Sequence, residues 1–164
     1  LALFAHHYQS GKVLPEKLLQ KIKKSKNFRS GTSCLRQLTF GYLDMAWFGQ
    51  HNEVNNVEDF EKKAIEKTML REQDTPGASI STMFAHIFAG GYSAGYYSYK
   101  WAEVLDADAF ERFQDEGIFN KETAKSFRNN ILSQGNIKHP LELYKHFRGR
   151  EPKVEALLKR EGLF

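Results

Sequence analysis

The chain has 164 residues, 41% apolar and 13% aromatic, with a formal net charge of +4 and a pI near 9.1. That length suits a single domain, residues 1–164, with a sizeable core. No apolar run approaches the roughly 20 residues of a membrane span. One cysteine, Cys34, leaves no disulfide framework within the chain, and the two signs of charge interleave, so a basic pI alone makes no case for nucleic acid.

Helical periodicity dominates. Residues 1–9 read as a short helix ended by Ser10 and Gly11; it has no cap before Leu1 and no initiator Met, as at a cut in a longer protein. Pro15 opens the next helix, running to about residue 27 with Leu18, Leu19 and Ile22 inward. Its run Lys21, Lys23, Lys24 and Lys26 fits a solvated C-terminal end, where cations suit the helix dipole. A cap at residues 31–33 precedes a long apolar helix over 33–47 carrying Leu35, Leu38, Leu43, Met45 and Trp47. Residues 57–71 are amphipathic, with Phe60, Ala64 and Ile65 on the apolar side. Residues 72–81 form the clearest break, with turn chemistry at Pro76 and Gly77. A long helix follows over 93–116, closed by Gly117. Asn120 starts another to about residue 133, Pro140 opens one through Phe147, and Pro152 opens the last, ending near Gly162. Strand-like alternation is negligible. The expected fold is all-α, with about seven or eight helices.

Familiar catalytic patterns are missing. None of the six histidines (His6, His7, His51, His86, His139, His146) begins a His-Glu-x-x-His helix. His51-Asn52-Glu53 imitates a zinc deaminase motif, but one cysteine cannot complete that site. His6 and His7 read as a polar helix face. Gly90 and Gly95 have P-loop spacing without the lysine, and Ser93 sits in no nucleophile elbow. Asp106 with Asp108, and Glu111 with Asp115, read as a solvated helix face.

The most informative segment is 84–101. Gly90, Gly91 and Gly95 permit backbone geometries that other residues resist. Tyr92, Tyr96 and Tyr99 stand at i, i+4 and i+7 and would share one helix face, with His86 just upstream. Tyr97, Trp101, Val104 and Leu105 form a second, more apolar stripe. Aromatic stripes usually face a core, yet phenols make poor core residues unless each hydroxyl finds a partner. Phenols and an imidazole gathered beside a glycine loop suit the stabilisation of a developing oxyanion. The residues alone leave both readings of the stripe open, and they supply no nucleophile, base or metal.

Residues 86–101 resemble the C-terminal signature of the thimet oligopeptidase family of zinc metallopeptidases, which includes oligopeptidases and peptidyl-dipeptidases. Residues 27–28, 35–38, 103–105, 108–110, 116–120, 127–128, 131–135 and 147–152 extend the resemblance over most of the chain. The resemblance implies a mainly helical, two-lobed metallopeptidase of which this chain is a C-terminal portion. It implies zinc in the full-length enzyme, held by ligands upstream, and no metal ligand in this chain. It implies a glycine-rich loop that closes over bound peptide. Tyr96 and Tyr99 match tyrosines that approach the scissile carbonyl. His86 and Tyr92 match residues that contact the peptide or transition state, and Gly90 and Gly91 belong to the loop. The expected partners are short peptides and the rest of the same polypeptide, with no nucleic acid or membrane, in a monomer. The expected compartment is the cytoplasm, with the periplasm open. The isolated chain is expected to be inactive. The alternative is a non-catalytic helical module that binds peptides or partners, and a His-Glu-x-x-His helix upstream of Leu1 would decide for the enzyme.

Overall fold

A computed structural model describes residues 3–49, 53–70 and 75–164. The architecture is all-α: α1 (Glu16–Ser25), α2 (Ser30–Phe48), α3 (Val57–Ile65), α4 (Ala85–Phe88), α5 (Ser98–Glu116), α6 (Lys121–Phe127), α7 (Pro140–Arg148) and α8 (Glu155–Glu161). Short 3₁₀ turns, Glu66–Thr68 and Ser81–Met83, follow α3 and precede α4. A π-helical turn, Arg128–Leu132, prolongs α6. His51 and the predicted breaks at 71–74 lie outside the described residues.

Local chemistry explains most boundaries. The Asn56 side chain accepts from Asp59 N and starts α3. Asn120 accepts from Glu122 N and Thr123 N and starts α6. Gly149 and Gly162 end α7 and α8 in the left-handed region.

Two expectations fail at the N-terminal side. Residues 3–14 form a hairpin-like turn instead of a helix, with a lone antiparallel bridge from His6 to Val13. His7 Nδ1 accepts from Gln9 N and Ser10 N, so a side chain takes donors a helix would need. α1 forms, but Leu18 and Ile22 are 46% and 53% exposed, and α1 buries no residue.

The core falls into three clusters. Leu43, Ile65, Phe84 and Ile87 join α2, α3 and α4, with Phe40, Trp47 and Tyr96 packed around them. Val104 and Ala107 of α5 meet Ala156 and Leu157 of α8. Ala109, Tyr144 and Phe147 join α5 to α7, backed by Phe113 and Phe127.

The expected solvated carboxylate face of α5 is also corrected. Asp106 is exposed, but Asp108 is fully buried. Its carboxylate accepts from Tyr144 Oη at 2.5 Å and pairs with Arg150 at 2.7 Å and Arg148 at 3.3 Å. Arg148 also pairs with Glu111. Burial alone would raise the Asp108 carboxyl, but the Arg150 and Tyr144 hydrogen bonds and the Arg148 charge hold it below the usual range. These pairs dock α7 and residues 148–150 onto α5.

Candidate functional site

The tyrosines converge, though not by sharing one helix. α5 begins at Ser98, so only Tyr99 is helical, and residues 93–97 form consecutive turns. The Tyr92 and Tyr99 rings stack at 5.4 Å, and Tyr96 and Tyr99 lie 5.0 Å apart. His86, on α4, stands 6.3 Å from both Tyr92 and Tyr96. Phe84 and Phe40 meet Tyr96 edge-on at 5.1 and 5.6 Å. Tyr96 is therefore part core and part surface, while Tyr92 and Tyr99 are exposed. The second stripe is only half apolar core: Val104 is buried, but Tyr97 and Trp101 are exposed.

Tyr96 and His86 border a cleft of about 410 Å³, with Arg36, Phe40 and Phe84 in its walls. Tyr96 also borders a smaller cleft of about 290 Å³, shared with Tyr42, Met45 and Tyr97. Burial raises the Tyr96 phenol above its ordinary pKa, opposed in part by the Arg36 charge. A hydrogen bond with the Tyr92 phenol is the main cause of the raised Tyr99 pKa. Both phenols are protonated at neutral pH and can donate.

The backbone carrying these rings is tethered from several sides. Tyr92 N donates to His86 O at 3.2 Å, Ser93 Oγ to Ile87 O at 2.6 Å, and Gly95 N to Tyr92 O at 2.8 Å. Gly90 passes so close to α4 that a Cβ would lie 2.8 Å from the His86 carbonyl oxygen. Gly91 adopts φ +77°, in open space. Neither Gly90 nor Gly91 donates a backbone hydrogen bond among the described residues. Ala89 N, by contrast, donates to Ala85 O.

Two buried carboxylates hold the ends of this segment, and neither was singled out from sequence. Asp44, on α2, accepts from Ala94 N at 2.8 Å and Tyr96 N at 2.9 Å. Glu61, on α3, accepts from Ser79 Oγ, Ile80 N, Ser81 N and Ser81 Oγ, all within 2.8 Å. Trp47 Nε1 adds a hydrogen bond to Ser81 Oγ at 3.0 Å. Burial alone would raise the Glu61 carboxyl, but the Ile80 and Ser81 backbone donors, then the serine hydroxyls, hold it below its ordinary value. The signal for Asp44 was present, as an acid amid Leu43, Met45, Ala46 and Trp47. Glu61 lies on a charged amphipathic helix and carries no such mark.

Among the described residues, no group of three or more His, Cys, Asp or Glu side chains is placed to hold a metal ion. His6 and His7 are exposed on the N-terminal turn rather than on a helix face.

The match to peptidase family M3 covers residues 1–163. Oligopeptidase A of Escherichia coli is 44% identical over 164 residues, taking in 99% of this chain and 24% of that protein. Dipeptidyl carboxypeptidase of Escherichia coli is 37% identical over 164 residues, with 99% and 24% covered. Saccharolysin of Saccharomyces cerevisiae is 32% identical over 165 residues, with 96% and 22% covered. The chain spans about a quarter of the length of the curated relatives it matches. The resemblance first carried by residues 86–101 thus extends across the whole sequence, and the chain belongs to peptidase family M3.

Proposed function

We propose that this chain is the C-terminal, substrate-binding portion of a zinc-dependent oligopeptidase or peptidyl-dipeptidase that hydrolyses short peptides. The observation that carries the proposal is the ring cluster of Tyr92, Tyr96, Tyr99 and His86, with Tyr96 and His86 lining one cleft and the Tyr96 and Tyr99 phenols protonated. Donors held in advance where charge develops are the largest single contribution in many acyl-transfer enzymes. In this proposal Tyr96 and Tyr99 donate to the carbonyl oxygen as it becomes an oxyanion. His86 and Tyr92 hold the peptide, and Gly90 and Gly91 let the loop approach its backbone.

Zinc, when bound, would supply an activated water and polarise the scissile carbonyl. The described residues offer no ligand set for it, so the ligands are proposed to lie elsewhere in a longer polypeptide. This chain's own part is donation, binding and orientation. We expect the isolated chain to hold no stoichiometric zinc and to hydrolyse no peptide. The proposed partners are short peptides and the rest of the same polypeptide, in a monomer. The proposed compartment is the cytoplasm, supported by a cysteine content that needs no oxidising environment.

The test is a fluorogenic peptide assay on the full-length protein, with and without chelator, for Tyr96→Phe, Tyr99→Phe and Tyr97→Phe. At least one of the first two should lose about 100-fold in kcat with KM little changed. Tyr97, 58% exposed and outside the ring cluster, should be mild. Small, equal effects on all three would return the cluster to a structural role and favour the non-catalytic module.

A further inference from the structure

We infer that Asp44 is a positioning residue, a buried hook that sets the pose of the Tyr96 phenol. This rests on the peptidase function proposed above. The Asp44 side chain is fully buried on α2, among Leu43 and the first core cluster. Each carboxylate oxygen takes one backbone donor: Oδ1 takes Ala94 N at 2.8 Å, and Oδ2 takes Tyr96 N at 2.9 Å. No arginine, lysine or histidine pairs with it among the described residues. Its counter-charge is the backbone itself, two N–H groups just ahead of the first turn of α5, where the helix dipole favours an anion.

The geometry it captures is a strained one. Ala94 has φ +53°, a left-handed conformation that L residues resist and glycine accepts freely. A glycine at that position would make the turn without strain, but would also leave it several conformations. An alanine held in the left-handed region by a buried, two-armed acceptor has one. Strain of this kind persists only where its surroundings over-determine it. Here the determinant grips the residue that carries the phenol and the residue two before it.

Asparagine at position 44 matches the shape but can accept at only one oxygen, and its amide group would face the other N–H. The experiment measures peptide hydrolysis by the full-length protein for wild type, Asp44→Asn, Tyr96→Phe and the double variant. Thermal melting follows each of them. Asp44→Asn should lower kcat by about 10–100-fold, since small misplacements of catalytic groups carry losses of that order. KM should stay within about twofold, as expected for an interaction used in the transition state. The decisive reading is the cycle: the double variant should be no slower than the slower single variant, because Asp44 acts through Tyr96. If Asp44→Asn does not fold, the same cycle is run in an Ala94→Gly background, where the turn carries no strain.

Losses that multiply in the double variant, or a wild-type kcat in Asp44→Asn, would overturn the hook while leaving the peptidase function standing. A loss in Asp44→Asn with none in Tyr96→Phe would also overturn it, because the effect would then not pass through that phenol. A full-length wild-type protein with no chelator-sensitive hydrolysis would instead overturn the proposed function itself.

Discussion

Glu61 offers the cleanest test of how the segment before the tyrosines is held. It is 3% exposed and accepts four hydrogen bonds, three at Oε2 and one at Oε1. Glu61→Gln keeps the shape and one carbonyl oxygen. If that oxygen takes the Oε2 place, Ile80 N loses its acceptor and faces an amide donor. One charge-assisted bond is lost, at about 1.5–3 kcal/mol. The other three fall from charged to neutral, roughly halving each. Relief from burying a charge opposes these losses. The net destabilisation should be about 2–4 kcal/mol, a large fraction of ordinary domain stability. At roughly 2–4 °C per kcal/mol for this size, the Tm should fall by about 5–15 °C. Circular dichroism melts measure it, and Trp47 fluorescence reports locally because Trp47 Nε1 bonds Ser81 Oγ. A pH series supplies the sign. The Glu61 carboxyl lies below its ordinary 4.5 in the fold, so its contribution is complete above that pH and drains away as pH falls through the lowered value. The gap between wild type and Glu61→Gln should therefore be full at pH 7 and close in acid. Asp108 also loses stability in acid, but equally in both proteins, so the difference isolates Glu61. Equal Tm values at pH 7, or a gap that persists at the lowest pH where both fold, would refute the reasoning.

Two further outcomes concern the glycine loop. Gly90→Ala drives a Cβ into the His86 backbone and should displace His86, cutting kcat/KM in the full-length protein by about tenfold or more. Gly91→Ala meets open space within this chain and carries the left-handed penalty of about 1–2 kcal/mol, so it should lower the melting temperature; a melting temperature equal to wild type would contradict the geometry. Hydrogen exchange should find the amides of Ala94 and Tyr96 protected by Asp44, and those of Gly90 and Gly91 fast. Uniform protection from 89 to 96 would count against a loop free only at its tip.

Helices whose ends carry their own chemistry were legible in the sequence. Pro140 opens α7, Asn120 starts α6, and Gly117 closes α5, because each boundary is decided by residues within a few positions. Failures occurred where the deciding partner lies far along the chain. α5 begins at Ser98 rather than near 93 because Asp44, 50 residues away, draws Ala94 into a turn. Asp108 looked like half of a solvated pair because its partners, Arg148 and Arg150, lie 40 and 42 residues on. The N-terminal helix failed for a local reason, the His7 ring taking two backbone donors. The gathering of Tyr92, Tyr96, Tyr99 and His86 was anticipated, but through a shared helix face that does not form.

The composition of the loop explains why a buried carboxylate, Asp44, holds it. From Ala89 to Gly95 the side chains are two alanines, three glycines, one serine and one exposed tyrosine. Such residues bury too little apolar area to fix a path by packing, since stabilisation scales with that area. Directional bonds must do it, and backbone N–H groups are the donors every residue but proline provides. A carboxylate with two equivalent oxygens can capture two of them at once without regard to flip state, which an amide cannot. Burying the charge is costly, but that cost falls on α2, which is anchored by Leu43 and its neighbours. The loop is thereby relieved of carrying bulky side chains. The Gly90 backbone can then run against α4, and the Tyr96 phenol is left in the wall of the cleft, fixed through its backbone.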